Sequence, residues 1–220
     1  MGLTVGLAVG LAVGLNFDLL GGDEWMWGQV AAAEVWTKSG EVLGDRLASA
    51  TLTLPSFLDW GICLVVLAVY AAIALPIGFK TGLLQQEWVT HPQTIVGTSL
   101  VALIFPSIFE EVVFRALLLP HPSEGASPGA IVFWSSVSLI LFIAAHPLNA
   151  LLVLTSRRDT FYDWAFLTLA GLLGAACTVT YLQSGSIWTA IGFHWLVVVV
   201  WLLTLGGDRR MGAQQKNNPS

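Results

Sequence analysis

Three ionisable side chains interrupt an apolar run, FEEVVFRALLLP, at residues 109–120. On an insertion scale, each ionised group near the centre of a membrane helix costs about 2.5–3.5 kcal/mol, and each large apolar residue returns about 0.3–0.6 kcal/mol. Glu110, Glu111 and Arg115 would together cost about 7–10 kcal/mol, whereas the large apolar residues of 94–119 return about 4–7 kcal/mol. The charged face must therefore meet other helices or water, and such groups are candidates for function.

Helical spacing separates the roles of these three residues. Glu111 and Arg115 are four residues apart, so they lie on one helix face and can form an ion pair. Glu110 points about 100° away and lacks a local cation, which would let its carboxyl group accept and return a proton. Pro106, one turn earlier, allows a bend that opens space beside Glu110. A purely structural charge network between helices fits this geometry equally well.

Two histidines lie inside other apolar windows. His146 stands in FIAAHPLNA and His194 in GSIWTAIGFHWLV, and both fall within about one to two helical turns of the depth of Glu110. In a shared cavity, the carboxyl group and one histidine can activate water while the other histidine stabilises an oxyanion. The same three residues could instead ligate a metal such as zinc, which would generate the hydroxide. For each histidine, a hydrogen-bonded packing role is the alternative.

These residues need membrane helices to position them, and the composition agrees. The 220-residue chain is 55% hydrophobic and 10% charged, whereas soluble domains carry about 25% charged residues. The sequence therefore predicts an all-α, polytopic membrane helix bundle with five to six transmembrane helices. Five apolar windows are long enough to cross a bilayer, at residues 60–79, 94–119, 131–152, 164–182 and 186–205.

The N-terminal sequence predicts a further span and an interfacial segment. The stretch GLTVGLAVGLAVGL has a glycine at every fourth position (Gly2, Gly6, Gly10 and Gly14), which is the small-residue spacing of packed membrane helices. Residues 1–20 are therefore predicted to form a sixth transmembrane helix rather than a cleaved signal peptide. Residues 21–59 mix charges with tryptophans and are predicted to form an interfacial amphipathic segment. The rest of the chain is predicted to consist of a membrane core at 60–206 and a polar cytoplasmic tail at 207–220.

The charges predict an orientation and exclude one class of partner. The net charge of −5 and the lack of a basic cluster exclude nucleic acid as a partner. The positive-inside rule places the loops at 80–93 and 155–163 and the C-terminus in the cytoplasm. That side would hold most of the basic residues, namely Lys80, Arg157, Arg158, Arg209, Arg210 and Lys216. The two cysteines, Cys63 and Cys177, lie in apolar windows and are predicted to be buried packing residues.

Three motifs follow one another in separate apolar windows: EEVVFR, FIAAH and GSIWTAIGFH. They resemble, in order, the EExxxR motif, the FxxxH motif and the third, histidine-containing motif of the CAAX protease and bacteriocin-processing family. This family, abbreviated CPBP and also called Abi, comprises glutamic-type intramembrane endopeptidases. The resemblance covers roughly residues 60–206 and implies that this core is a membrane protease of that kind.

The resemblance also implies roles for the candidate catalytic residues. Glu110 would be the general base, and His146 would help it to hold and activate the water. Glu111 and Arg115 would organise the site, and His194 would help to stabilise the tetrahedral oxyanion.

The chain departs from the family pattern at one position. Family members often have Asn or Asp four residues after the last histidine, where this chain has Val198, which cannot donate a hydrogen bond. A second donor would have to come from elsewhere, and Asn149 in HPLN is the candidate for this supporting role.

The leading hypothesis is an intramembrane endopeptidase whose Glu- and His-activated water hydrolyses a peptide bond. Its substrate would be a membrane protein or a lipidated peptide, with the lipid bilayer as its surroundings. No cofactor is expected, and a divalent metal is the alternative. We expect a multi-pass protein of a bacterial inner membrane or another internal membrane.

Other functions fit the same residues. A non-catalytic membrane scaffold or a bacteriocin-immunity protein of the same fold is one alternative, and a proton-coupled transporter is another. In relatives that process prenylated C-termini the active site opens toward the cytosol, whereas the basic residues here place Glu110 nearer the outer side. Opening toward the cytosol and opening toward the outer side therefore both stay as alternatives.

Overall fold

A computed structural model of the chain describes the backbone of residues 29–212 and the side chains of residues 39–211. The predictions for residues 1–20, including the glycine repeat and the sixth transmembrane helix, lie outside the described residues. The same holds for residues 21–28 of the predicted interfacial segment and 213–220 of the predicted tail. The division into four segments stays a prediction.

Six long or medium helices build the described part of the chain, and no named strand occurs in it. They are α1 (Gln29–Leu52), α2 (Phe57–Lys80), α3 (Pro92–Ala102), α4 (Pro128–Leu152), α5 (Trp164–Ser184) and α6 (Ile187–Thr204). Among the described residues, α2, α4, α5 and α6 are long and apolar enough to cross a membrane. The predicted all-α, polytopic bundle is confirmed, and four of the five predicted windows are continuous helices.

Each of these four membrane helices begins at a side chain that accepts a hydrogen bond from the first turn. Ser56 and Asp59 form a capping box at the start of α2, and Ser127, Asp163 and Ser186 cap α4, α5 and α6. Because the first N–H groups of a helix have no partner within it, such residues fix where the helix begins. The observed helices start within three residues of the predicted windows for this reason.

The one predicted window that is not a continuous helix is 94–119, which is helical but broken. After α3 come a π-helical stretch (Leu103–Ile108), a single α-helical turn (Phe109–Glu111) and a second π-helical stretch (Val112–Leu117). Phe105 leaves helical geometry at φ −130° and ψ 109°, directly before Pro106, which has no backbone N–H to donate. The hydroxyl of Ser107 donates instead to the carbonyl of Ala102 at 2.8 Å. The bend that Pro106 predicts is therefore present, one turn before Glu110.

Polar contacts close the bundle at one end, which we call the Glu124 end. Arg46 of α1 forms two hydrogen bonds with the carboxylate of Glu124, at 2.8 and 2.9 Å. The ring of His121 hydrogen-bonds to the carbonyl of Gly185 between α5 and α6, at 2.9 Å. The indole of Trp188 donates to the carbonyl of Thr51 at 2.9 Å. The loop at 118–127, the end of α1 and the α5–α6 turn thus meet at this end.

The opposite end, which we call the Glu87 end, holds the other loops. Glu87 donates its N–H to the carbonyl of Thr204, and Arg210 hydrogen-bonds to Asp163 and to the carbonyl of Gly82. The helices alternate between the two ends, as predicted. Of the basic residues predicted for one side, this end accordingly carries Lys80, Arg157, Arg158, Arg209 and Arg210, whereas Arg46 lies at the Glu124 end and Arg115 is buried within the bundle. Lys216 lies outside the described residues, and the assignment of this end to the cytoplasm stays a prediction.

Candidate active site

Arg115 and Glu111 form a fully buried ion pair on the second half of the broken segment. The Arg115 Nε atom lies 3.2 Å from Glu111 Oε2, and neither side chain has any exposed surface. This contact lacks the angle of a hydrogen bond, so it is a close charge pair only. Arg115 Nη2 donates to the carbonyl of Gly174 on α5 at 2.7 Å, and its Cζ atom lies 4.7 Å from the centre of the Phe142 ring on α4. Two other helices therefore hold the guanidinium in place.

Gly174 makes room for this arrangement. A Cβ atom added there would lie 2.9 Å from Phe142 Cδ1, 3.0 Å from Leu139 Cδ1 and 3.2 Å from Arg115 Nη2. The guanidinium, the aromatic ring and the α5 backbone can approach one another only because this residue has no side chain. A charged group with no access to water needs this kind of dense polar and aromatic contact, because its desolvation is costly.

His194 of α6 lies between the two glutamates. Its Nδ1 atom is 2.6 Å from Glu111 Oε1, and its Nε2 atom is 4.0 Å from Glu110 Oε2. Glu110 is 14% exposed, and its Oε2 atom is buried without a hydrogen-bond partner among the described residues. The structure thus brings Glu110, Glu111, Arg115 and His194 together, joining two of the three motif-bearing helices.

His146 takes a separate position on α4. Its Nδ1 atom lies 2.9 Å from the carbonyl oxygen of Phe142, and since a carbonyl only accepts, Nδ1 carries the proton and Nε2 keeps a lone pair in the neutral ring. Within the described part, His146 forms no hydrogen bond or ion pair with Glu110 or His194. The Phe142 ring connects the two imidazoles instead, with centroids 5.1 Å from His146 and 6.0 Å from His194.

Val198 and Asn149 lie on the same helices as the two histidines. Val198 is one turn after His194 on α6 and presents only methyl groups, as the sequence indicated. Asn149 is one turn after His146 near the end of α4, and its backbone carbonyl accepts from Val153 and Leu154 at 2.9 and 2.7 Å. Its role as a second donor stays a prediction.

The sequence reasoning missed two residues that belong to the site. The first is Phe142, which contacts Arg115 and both histidines. Its signal was available, because it is the first residue of the FIAAH motif and lies one turn before His146. The second is Cys177 of α5, a fully buried thiol close to Glu111 and His194. Its burial was predicted, but its place beside the glutamate could not be inferred from an isolated cysteine in an apolar run.

One group of possible metal ligands occurs among the described residues, and it differs from the set considered from the sequence. Donor atoms of Glu111, Cys177 and His194 all lie within 4.8 Å of one another, whereas Glu110 and His146 are not part of the group. The site is already engaged, because Glu111 binds His194 at 2.6 Å and Arg115 at 3.2 Å. A cation there would have to displace the first hydrogen bond and approach the guanidinium. These residues therefore fit a proton and an arginine better than a divalent metal.

The fold and the site define an all-α integral membrane protein with a buried Glu–Glu–Arg–His cluster. Residues 92–200, about half of the 220-residue chain, match the model of the Rce1-like family, described as type II CAAX prenyl endopeptidase Rce1-like. Through this segment the chain belongs to the Rce1-like family of CAAX-type membrane proteases, and the resemblance carried by the motifs is confirmed. The matched segment includes Glu110, Glu111, Arg115, His146 and His194. No curated protein and no solved structure matches the chain.

Proposed function

We propose that the protein is an intramembrane endopeptidase that hydrolyses a peptide bond of a membrane-associated substrate with activated water. One observation carries this proposal. The Glu110 carboxyl group, inside the segment that matches a protease family, keeps a buried oxygen without a hydrogen-bond partner in the described residues and faces the His194 ring at 4.0 Å. A carboxylate oxygen without a partner can accept a hydrogen bond from a water molecule, which is what general-base hydrolysis requires.

The proposed roles follow the chemistry of each group. Glu110 takes a proton from the attacking water, and the Nε2 lone pair of His146 helps to hold that water between the two side chains. His194 stabilises the oxyanion of the tetrahedral intermediate. Glu111 and Arg115 organise the site as a buried pair at 3.2 Å, and Asn149 is the candidate for a second donor.

The family description suggests the substrate class to test first. A type II CAAX prenyl endopeptidase acts on a C-terminal peptide next to a lipid-modified cysteine, so we propose a lipidated peptide or membrane protein as substrate. We place the enzyme in a bacterial inner membrane or another internal membrane. No cofactor is needed for this mechanism, because the water is activated by carboxylate and imidazole.

The test uses protein reconstituted in lipid nanodiscs with a prenylated CAAX peptide. We expect Glu110→Ala, Glu110→Gln and His146→Ala each to lower the cleavage rate by about 10²–10⁴-fold, which is the usual contribution of general acid–base catalysis. The matched control is Glu87→Gln, since Glu87 pairs with exposed Arg209 at the other end. Cleavage that survives in all three folded variants would contradict the mechanism. Loss of wild-type activity in a chelator, with recovery on metal addition, would contradict water activation by Glu110 alone.

A specific observation favours one alternative, a non-catalytic member of the family. Val198 removes the donor that relatives often place near the oxyanion. Under that alternative, Glu110→Gln would leave the cellular phenotype unchanged, whereas substitutions of buried Glu111 and Arg115 would act through folding. Thermal unfolding and phenotype measured on the same variants separate the two functions.

A further inference from the structure

The protonation of His194 can be inferred from its two carboxylate neighbours. Its Nδ1 atom lies 2.6 Å from Glu111 Oε1, and because an ionised carboxylate only accepts, Nδ1 carries a proton and donates it. In the neutral ring, the lone pair then resides on Nε2, which faces Glu110 Oε2 at 4.0 Å. A charged carboxylate opposite a lone pair places two acceptors face to face, so neither group could donate a hydrogen bond to the other.

The charges of the cluster indicate how this conflict is resolved. Glu111 and Arg115 neutralise each other at 3.2 Å, without exposed surface. If Glu110 were ionised and His194 neutral, the cluster would carry one negative charge on a side chain that is only 14% exposed and has one fully buried oxygen, which is costly. A single proton on either Glu110 or His194 removes that charge. The 4.0 Å gap is too long for a direct hydrogen bond, but a water molecule at hydrogen-bond distance from both atoms can bridge it.

We propose that Glu110 and His194 share one proton as an acid–base pair, and that Glu111 is the positioning residue that holds His194 for this task. This inference gives the His194 ring a part in proton transfer as well as in oxyanion stabilisation. The use of the proton in peptide hydrolysis rests on the proposed function, whereas the sharing itself does not.

Several other titratable groups surround this pair. Arg46 of α1 is engaged with Glu124, and α3 carries no ionisable side chain. The other ionisable groups in this part of the bundle are Glu111 and Arg115 on the broken segment, Cys177 on α5 and His146 on α4 across Phe142. On α2, Cys63 and Tyr70 contact Thr189 and Phe193 of α6.

The pair can serve both proton transfers of hydrolysis. The water oxygen bonds to the substrate carbonyl carbon, and one water proton passes to the pair, which then holds two protons. His194 is now charged, and its Nε2–H can donate to the oxyanion. When the C–N bond breaks, the leaving nitrogen receives one proton from the pair. The products are an amine and a carboxylic acid, and the pair returns to one proton.

Nitrogen NMR of the full chain tests the sharing without any substrate. Protein labelled with ¹⁵N-histidine is placed in nanodiscs, and the His194 resonances are assigned by their loss in His194→Asn. We expect a protonated Nδ1 in wild type and a displaced Nε2 resonance in Glu110→Gln. The Glu111→Gln variant should displace Nδ1, but its buried ion pair makes folding a risk, so Glu110→Gln is the deciding variant. Glu87→Gln is the matched control and should leave His194 unchanged.

His121 provides an internal reference, because its ring is bound at the Glu124 end to Ser123 and Gly185. An Nε2 resonance of His194 that stays the same in Glu110→Gln as in wild type would overturn the proposal, as would an unprotonated Nδ1. The two proposals fail separately. Coupled His194 signals in a protein that cleaves no peptide would contradict only the proposed function, and cleavage with uncoupled signals would contradict only the shared proton.

Discussion

At the scale of single residues, the site combines one fixed charge pair with one adjustable acid–base pair. Arg115 and Glu111 are held by contacts from α4, α5 and α6, and neither can be changed without leaving a buried charge. Glu110 has a free buried oxygen and touches only the His194 ring among ionisable partners in the described residues. Chemistry that requires a group to gain and lose a proton is therefore assigned to Glu110 and His194.

Val198 offers a gain-of-function test at this scale. On α6 the proposed mechanism has one donor for the oxyanion, His194, and the side chain one turn later cannot donate. We expect Val198→Asn to raise the cleavage rate of the prenylated peptide, by up to about 10²-fold, since an oxyanion donor contributes on this order. The measurement is the initial rate of purified protein in nanodiscs.

Val199→Asn is the matched control, because the neighbouring residue points about 100° away on the same helix. It should not raise the rate. An unchanged rate in a folded Val198→Asn variant would contradict an oxyanion within reach of position 198. Both asparagine variants should be inactive when combined with Glu110→Gln.

At the scale of elements, α1 is attached to the segment that carries the glutamates. Arg46 is buried and forms two hydrogen bonds with Glu124, and its Nη1 atom donates to the carbonyl of Leu117 at 3.3 Å. Leu117 is the last residue of the second π-helical stretch, seven residues after Glu110. Ala50 of α1 is fully buried in the same core as Phe142. The helix before the membrane core therefore fixes the end of the broken segment.

Substitution of Arg46 tests this attachment. We expect Arg46→Met to lower the free energy of unfolding by about 2–3 kcal/mol, because hydrogen bonds to a largely buried charge are lost and a carboxylate is left unpaired. Arg209→Met is the matched control. Arg209 and Glu87 are 51% and 43% exposed, so this pair should contribute less than about 1 kcal/mol.

Thermal unfolding in detergent provides the comparison. The double variant Arg46→Met, Glu124→Gln should lose less than the sum of the two single variants, since the second substitution removes the unpaired carboxylate. Equal and small effects of Arg46→Met and Arg209→Met would contradict a structural role for the α1 contact.

At the scale of the whole molecule, the sequence predicted the helices well and the contacts between them only in part. Four windows became continuous helices because length, hydropathy and capping residues are local properties. The Glu111–Arg115 pair was also predictable, since both residues lie on one helix face. The contact between His194 and Glu111 spans 83 residues and depends on how two helices rotate and tilt, which hydrophobic patterns do not specify. For the same reason, the contacts of the Phe142 ring with Arg115 and His194 were not foreseen, although its place one turn before His146 is a local property.

The ends of the bundle agree with a membrane setting. Trp60 and Trp188 lie at the Glu124 end, whereas Trp88 and Trp164 lie at the Glu87 end, and all four side chains are exposed. Tryptophan prefers the membrane–water interface, so the two pairs mark where the bilayer surfaces are expected. Glu110 and His194 are each seven residues, or about two helical turns, from the Glu124 end. With the bilayer surface at the level of Trp60 and Trp188, the site would lie about two helical turns below it, which the proposed function requires for a membrane-associated substrate.

The most direct test of the central claim compares the termini of membrane proteins in cells that carry wild-type, Glu110→Gln or Glu87→Gln protein at equal levels. If Glu110 activates water for peptide hydrolysis, a set of new termini will be present with wild type and Glu87→Gln and absent with Glu110→Gln. Identical termini in all three strains, with each variant folded and inserted in the membrane, would contradict the claim.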